Sequence, residues 1–215
     1  MSLDERANVA ISNAIGQAVL NAGQALRAHL GEPSDASNVI CVGVLSSTGE
    51  VTDLDNPDCL GSLGFGARSV LRHVGRNLSK GDIVIANDPY SGTLSLRHIL
   101  LLRPLYGASS EPIATLVSQA SVPDVGGAVA RGRAHRAEEL LAEGVRITPV
   151  RLRRHGRSDH GLLETILLNS REPEEFRRTI RGMCSAVESV EAAMGKLLNQ
   201  YGDAAVGAAL HQALD

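Results

Sequence analysis

Apolar residues over 5–30 (Val9, Ile11, Ile15, Val19, Leu20, Ala22, Leu26, Leu30) recur mostly at three- and four-residue intervals, the period of one helical face. Gly31 and Pro33 supply the stop. Apolar runs at 38–45 and 50–54, joined by Ser46-Ser47-Thr48-Gly49, predict a β-hairpin that Asn56-Pro57-Asp58 ends. A shorter helix is predicted over 66–77, with Val70, Leu71 and Val74 on one face. Strands are predicted at 81–86, 99–105, 112–122 and 146–152, a Gly- and Arg-rich loop at 124–133, and a short helix at 134–142. From Asp159 the period is helical again, through Leu162, Leu163, Ile166 and Leu167. A long helix follows over 173–201, with Pro173 suited to its first turn and Glu174 and Glu175 to its positive end. A last helix covers 204–214. Strands and helices are partly segregated, which predicts an α+β fold: a mixed or antiparallel sheet core with packed helices. The simplest division is one α+β domain over 1–158 with a helical C-terminal extension over 159–215.

Composition narrows the function classes. Of 215 residues only Phe65, Phe176, Tyr90, Tyr106 and Tyr201 are aromatic, so the core is aliphatic and no platform for stacking bases is in view. A net charge of −3 gives no general attraction to nucleic acid or anionic lipid. The basic stretch at 151–157 reads as a solvated rim. Cys41, Cys59 and Cys184 are odd in number and form no CxxC pair, which points to reduced thiols rather than a disulfide scaffold or zinc knuckle. The N-terminus lacks the layout of a signal peptide, and no apolar run approaches the roughly 20 residues that span a bilayer. The expectation is a soluble, cytoplasmic chain without nucleic-acid or membrane partners.

Three segments carry candidate chemistry. Gly81-Asp82-Ile83-Val84-Ile85-Ala86-Asn87-Asp88-Pro89-Tyr90-Ser91-Gly92 places polar groups at the end of a buried strand, where they serve either chemistry or the capping of a turn. Asp124-Val125-Gly126-Gly127 allows close backbone approach or simply a turn. Cys59 is either a small buried hydrophobe or a nucleophile. The seven histidines show no HxxxH or HExxH spacing, and the glycines match neither GxGxxG nor a P-loop.

In this order the segments resemble the hydantoinase B/oxoprolinase family, which includes the B subunit of N-methylhydantoinase, one half of 5-oxoprolinase and the corresponding acetone carboxylase subunit. The run from Gly81 to Gly92 resembles the family's GD-(apolar)-NDPY-x-G stretch. Cys59-Leu60-Gly61-Ser62-Leu63 resembles HLGSM, and Asp124-Val125-Gly126-Gly127 resembles D-[IV]-GG. Glu143-Gly144-Val145-Arg146-Ile147-Thr148-Pro149-Val150-Arg151-Leu152 resembles EG-(apolar)-RIPPVKL, and Asn169-Ser170-Arg171-Glu172-Pro173-Glu174-Glu175 resembles N-V-R-x-PEE. The likeness runs nearly end to end here but spans only the N-terminal portion of a typical member.

The departures fall on the family's metal ligands. Where the family reads GGTHLPD, this chain has Gly92-Thr93-Leu94-Ser95-Leu96-Arg97-His98, so Ser95 stands at the ligand His and His98 at the ligand Asp. Where it reads HHADIGG, this chain has Ser121-Val122-Pro123-Asp124-Val125-Gly126-Gly127, and Cys59 replaces the histidine of HLGSM. A hydroxyl and an aliphatic side chain are poor substitutes for imidazole and carboxylate donors. The resemblance therefore implies a shortened, degenerate B-type subunit with no metal or cofactor of its own. Asn87, Asp88, Tyr90, Gly126 and Gly127 would be kept as scaffold or substrate contacts. ATP and a divalent metal would reside on partner subunits, which would be hydantoinase-A-like or full-length hydantoinase-B-like chains in a hetero-oligomer. The alternative is a metal-independent hydrolase, carboxylase or cyclase that uses a rearranged Cys59, His98 and Asp124 site.

Overall fold

The computed structural model describes residues 3–31, 39–75, 77–130 and 137–212. In chain order it contains α1 (Leu3–Leu30), β1 (Ile40–Ser46), β2 (Val51–Leu54), α2 (Leu60–Val74), β3 (Ile83–Ala86), β4 (His98–Tyr106) and β5 (Pro112–Ser121). These are followed by β6 (Val150–Arg154), β7 (Arg157–Ser158), α3 (His160–Leu167) and α4 (Pro173–Gln212). The seven strands form one sheet in the order β2-β1-β5-β4-β3-β6-β7, and every pairing is antiparallel. The fold is α+β.

Helices cover both faces of this sheet, so its central strands are apolar on both sides and show little alternation. Ile40, Val42 and Val44 of β1, Ile99 and Leu101 of β4, and Leu116 and Ala120 of β5 face α1 and α4, and pack with Ile15, Leu26, Phe176, Val187 and Met194. The intervening positions Cys41, Leu45, Val84, Leu100, Leu102 and Val117 face α2, where they meet Cys59, Leu63, Ala67 and Val70. Burying a residue such as the fully enclosed Phe176 contributes about 2–3 kcal/mol.

One charged residue sits inside the α4 face of the sheet. Arg103 of β4 donates to Glu191 of α4 through Nε (2.9 Å) and Nη2 (2.6 Å). Arg153 of β6 pairs with Glu188 one turn earlier on α4, so the helix is clipped to two strands. Both C-terminal helices join the same apolar cluster as α1.

The helix of 66–77 begins a turn and a half earlier than its pattern predicts, at Leu60. Gly61, Gly64 and Gly66 weaken the helical signal there, yet Gly66 lets α2 press against the next loop: a Cβ at Gly66 would lie 2.9 Å from the Gly92 carbonyl oxygen. The basic stretch at 151–157 is a hairpin of β6 and β7 rather than only a rim. Its turn is His155-Gly156, both at positive φ (48° and 80°), as a tight two-residue hairpin requires. The strand predicted at 146–152 starts later, at Val150, and the helix predicted at 134–142 reduces to a 3-10 turn at Leu140–Ala142 among the described residues. Positions 131–136, Asn38 and Pro33 lie outside the described residues. The expected break between the two last helices falls at Gly202, whose φ of 80° interrupts α4.

Candidate functional site

The polar residues that end β3 knot three chain segments together. Asn87 is fully buried, and its Nδ2 donates to the carbonyl oxygens of Leu96 (2.6 Å) and Val145 (2.9 Å). Its Oδ1 accepts the backbone N–H of Ile147 (2.5 Å), and its own N–H goes to the Ile147 carbonyl. All of this side chain's hydrogen-bonding atoms are thereby used on backbone. The amide does what a further strand pairing would do, holding the 142–147 segment against the exit of β3.

Asp88, 1% exposed, caps the 3-10 turn at Pro89–Ser91. Its Oδ1 accepts from the Tyr90 N–H (3.1 Å) and its Oδ2 from the Ser91 hydroxyl (2.9 Å), while Arg146 Nε lies 3.2 Å from Oδ1. Tyr90 projects outward, 80% exposed, with the Arg146 guanidinium 5.6 Å from its ring centroid.

Beyond the turn, Ser95 Oγ lies 2.7 Å from His98 Nδ1 and also accepts the Arg97 N–H (3.3 Å). His98 opens β4 and is buried. Across the sheet it is registered with Ser121, whose hydroxyl accepts the Val39 N–H (2.8 Å). Val122 is fully buried in the apolar core.

Asp124 ties its own loop to the segment that precedes α4. Oδ1 accepts the N–H groups of Gly126 (2.7 Å) and Arg171 (3.0 Å), and Oδ2 lies 3.3 Å from Arg171 Nη1. Arg171 Nη2 donates to the Gly127 carbonyl (2.5 Å), and the Ser170 hydroxyl donates to the Asp124 carbonyl (2.9 Å). Gly126 and Gly127 have φ of 81° and 78°. A Cβ on Gly127 would meet the Ala142 carbonyl oxygen at 2.6 Å, so this loop needs glycine for both its dihedrals and its packing.

Cys59, just before α2, is buried on the face opposite α4 and shares that environment with Cys41 of β1. A hydrogen bond with Cys41 draws the Cys59 thiol below its ordinary range, against the opposing effect of desolvation. Burial pushes Cys41 well up. All three cysteines are free thiols.

The contacts at these positions link the sequence candidates as follows. Asn87 and Asp88 join the 142–147 segment, Ser95 joins His98, Asp124 and the two glycines join Arg171, and Cys59 joins Cys41. Arg146, Ser170 and Arg171 were not singled out from the sequence. Their signal lay in the motif-like segments that carry them, around Arg146-Ile147 and Asn169-Ser170-Arg171. Among the described residues no three His, Cys, Asp or Glu side chains are grouped to hold a metal ion, and no helix is long and apolar enough to cross a membrane.

Comparison with known proteins places this arrangement. An uncharacterized protein of Methanocaldococcus jannaschii is 29% identical over 177 residues, covering 80% of this chain and 31% of that protein. The caprolactamase subunit beta of Pseudomonas jessenii is 30% identical over 152 residues, covering 69% of this chain and 25% of that subunit. This chain therefore spans between a quarter and a third of the length of these relatives. The crystal structure of the ATP-dependent caprolactamase from Pseudomonas jessenii superposes on 94% of this chain with a TM-score of 0.80 at 24% identity, over 36% of the matched chain. A nucleotide-free structure of acetone carboxylase, from work on ATP-dependent acetone carboxylation, shares the fold over 97% of this chain and 28% of its own, with a TM-score of 0.83 at 14% identity. The profile of the hydantoinase B/oxoprolinase family matches residues 28–215, and the chain belongs to that family.

Proposed function

We propose that this chain acts as a hydantoinase-B-like subunit without a metal centre of its own, supporting a heteromeric ATP-dependent amidohydrolase or ketone carboxylase. The observation that carries this reading is the use made of the family's ligand positions. Ser95 Oγ is engaged by His98 and by the Arg97 N–H, and Ser121 Oγ by the Val39 N–H. Val122 offers no donor atom. Two hydroxyls already held in the protein's own hydrogen bonds, one imidazole and a valine do not fit a divalent transition ion, which takes imidazole, thiolate or carboxylate donors.

Asn87, Asp88, Asp124, Gly126 and Gly127 act as scaffold in this reading, since their polar atoms serve backbone and neighbouring side chains. Tyr90 is the member of the group that is open to solvent, and it offers a contact to a partner or substrate. The ATP-dependent relatives and the subunit status of the caprolactamase homologue support partners that supply ATP chemistry and metal: a hydantoinase-A-like chain, a full-length B-like chain, or both.

Co-expression with the hydantoinase-A-like and full-length B-like proteins of the same host, read by size exclusion and native mass spectrometry, tests the reading. A stable complex containing this chain is expected. A monodisperse monomer that ignores both partners would overturn it.

A further inference from the structure

The sheet carries a second feature at the end opposite Asn87 and His98. There the β1–β2 turn, the C-terminal half of α2 and the far ends of β4 and β5 border an open cleft of about 630 Å³. That volume lies within the roughly 300–1,000 Å³ of small-molecule sites. Its apolar wall includes Leu71 and Pro104, and Thr48 and Thr115 also line it. Arg68 and Arg72 lie one helical turn apart on its α2 side. Arg72 donates Nε to the Arg68 carbonyl, and no carboxylate among the described residues lies within ion-pair distance of either guanidinium. Glu111, which also lines the cleft, is no exception.

Several other arginines among the described residues are matched to carboxylates: Arg27 to Asp55, Arg103 to Glu191, Arg153 to Glu188 and Arg177 to Glu164. Two like charges at i and i+4 repel slightly unless something neutralises them. A pair of guanidinium forks facing a partly apolar cleft suits a planar or tetrahedral oxyanion, which accepts paired N–H donors. We infer that this cleft binds a small organic anion, a carboxylate or phosphate ester with a short apolar body, at a site separate from the strand-end cluster. The oxyanion lies between Arg68 and Arg72, and the body lies against Leu71 and Pro104.

The test is chemical-shift mapping of the isotope-labelled chain with three probes: hexanoate, phenyl phosphate and the uncharged control hexanol. Saturable shifts centred on Arg68, Arg72 and Thr115 are expected for at least one anion, with a Kd of about 1 mM or tighter, and none for hexanol. Saturation by hexanoate alone assigns a carboxylate, and by phenyl phosphate alone a phosphate ester. The double variant Arg68→Gln with Arg72→Gln changes exposed side chains and should keep the wild-type melting profile, while weakening binding about tenfold or more. Rising ionic strength should weaken wild-type binding in parallel. Absence of saturable shifts with both anions, shifts centred elsewhere, or equal binding by the double variant would overturn the inference.

Discussion

Replacing Asn87 by alanine removes three hydrogen bonds from a site with no exposure. It orphans the Ile147 N–H and takes the amide partner from the Leu96 and Val145 carbonyls. An orphaned buried group costs about 1–3 kcal/mol. Carbonyls tolerate the loss better than an N–H, so the sum is about 3–5 kcal/mol. For a chain of this size each kcal/mol lowers Tm by about 2–4 °C, so a drop of roughly 10 °C is expected by circular dichroism or calorimetry.

Asn87→Asp is the sharper control. It keeps an acceptor for Ile147 but turns an oxygen toward two carbonyls. That repulsion favours the protonated acid and raises its pKa in the folded state. A raised folded pKa gives stability that is present below the unfolded value, about 3.9 for Asp, and lost as pH rises through the folded pKa. The Tm gap to wild type should therefore widen from acid toward neutral pH. An Asn87→Ala variant that melts with wild type would refute the scaffold role, the more so if Asn87→Asp shows no pH trend.

Other outcomes follow from neighbouring contacts. Asp88→Ala should cost about 1–3 kcal/mol for its two cap bonds, with little added by the half-exposed Arg146; unchanged melting with lost activity of a complex would instead mark Asp88 as a reacting group. Gly127→Ala should destabilise by about 2–4 kcal/mol, because positive φ and the Ala142 carbonyl both resist a Cβ; a melting curve within error of wild type would refute that packing. The buried thiols should resist a thiol reagent such as DTNB in the native chain and react as three per chain once denatured; rapid labelling of the folded protein would contradict the burial. Burial holds the Cys184 thiol up at about 11, above its unfolded value, so its contribution is complete below the unfolded pKa and fades as pH rises through the folded one. Wild-type Tm should then fall more steeply than that of Cys184→Ala as pH climbs toward 11; parallel curves would contradict it.

Much of the fold was legible because the signals were local. The three-and-four spacing from Val9 to Leu30 and the Pro173-Glu174-Glu175 start mark helices that the structure contains at nearly those bounds. The turn at 46–49 marks a hairpin that is present. The start of α2 was hidden because Gly61, Gly64 and Gly66 are poor helix formers, retained where a helix crosses a loop at close range. The β6–β7 hairpin was hidden because its residues are mostly charged. Arg151 reaches Asp82 and Arg153 reaches Glu188, so these charges are spent on partners that no local pattern reveals.

The candidate site was legible as residues but not as a geometry. Asn87 and Asp88 stood out by their place at a strand end. That Asn87 reaches Val145 and Ile147, some 60 positions away, is a tertiary fact. Asp124 stood out beside two glycines, but its partner Arg171 lies 47 residues on. Cys59, His98 and Asp124 suggest a rearranged catalytic site when read as residue types. The fold gives Cys59 the company of Cys41, His98 that of Ser95, and Asp124 that of Arg171.

On this proposal the chain is a B-type subunit that carries no metal and works through others. The most direct measurement is metal analysis by mass spectrometry on this chain purified from its host with whatever accompanies it. No stoichiometric metal on this chain, together with a co-purifying hydantoinase-A-like or full-length B-like protein, is the predicted result. One tightly bound transition ion per chain would contradict the account and return His98, Cys59 and Asp124 to the front as ligands.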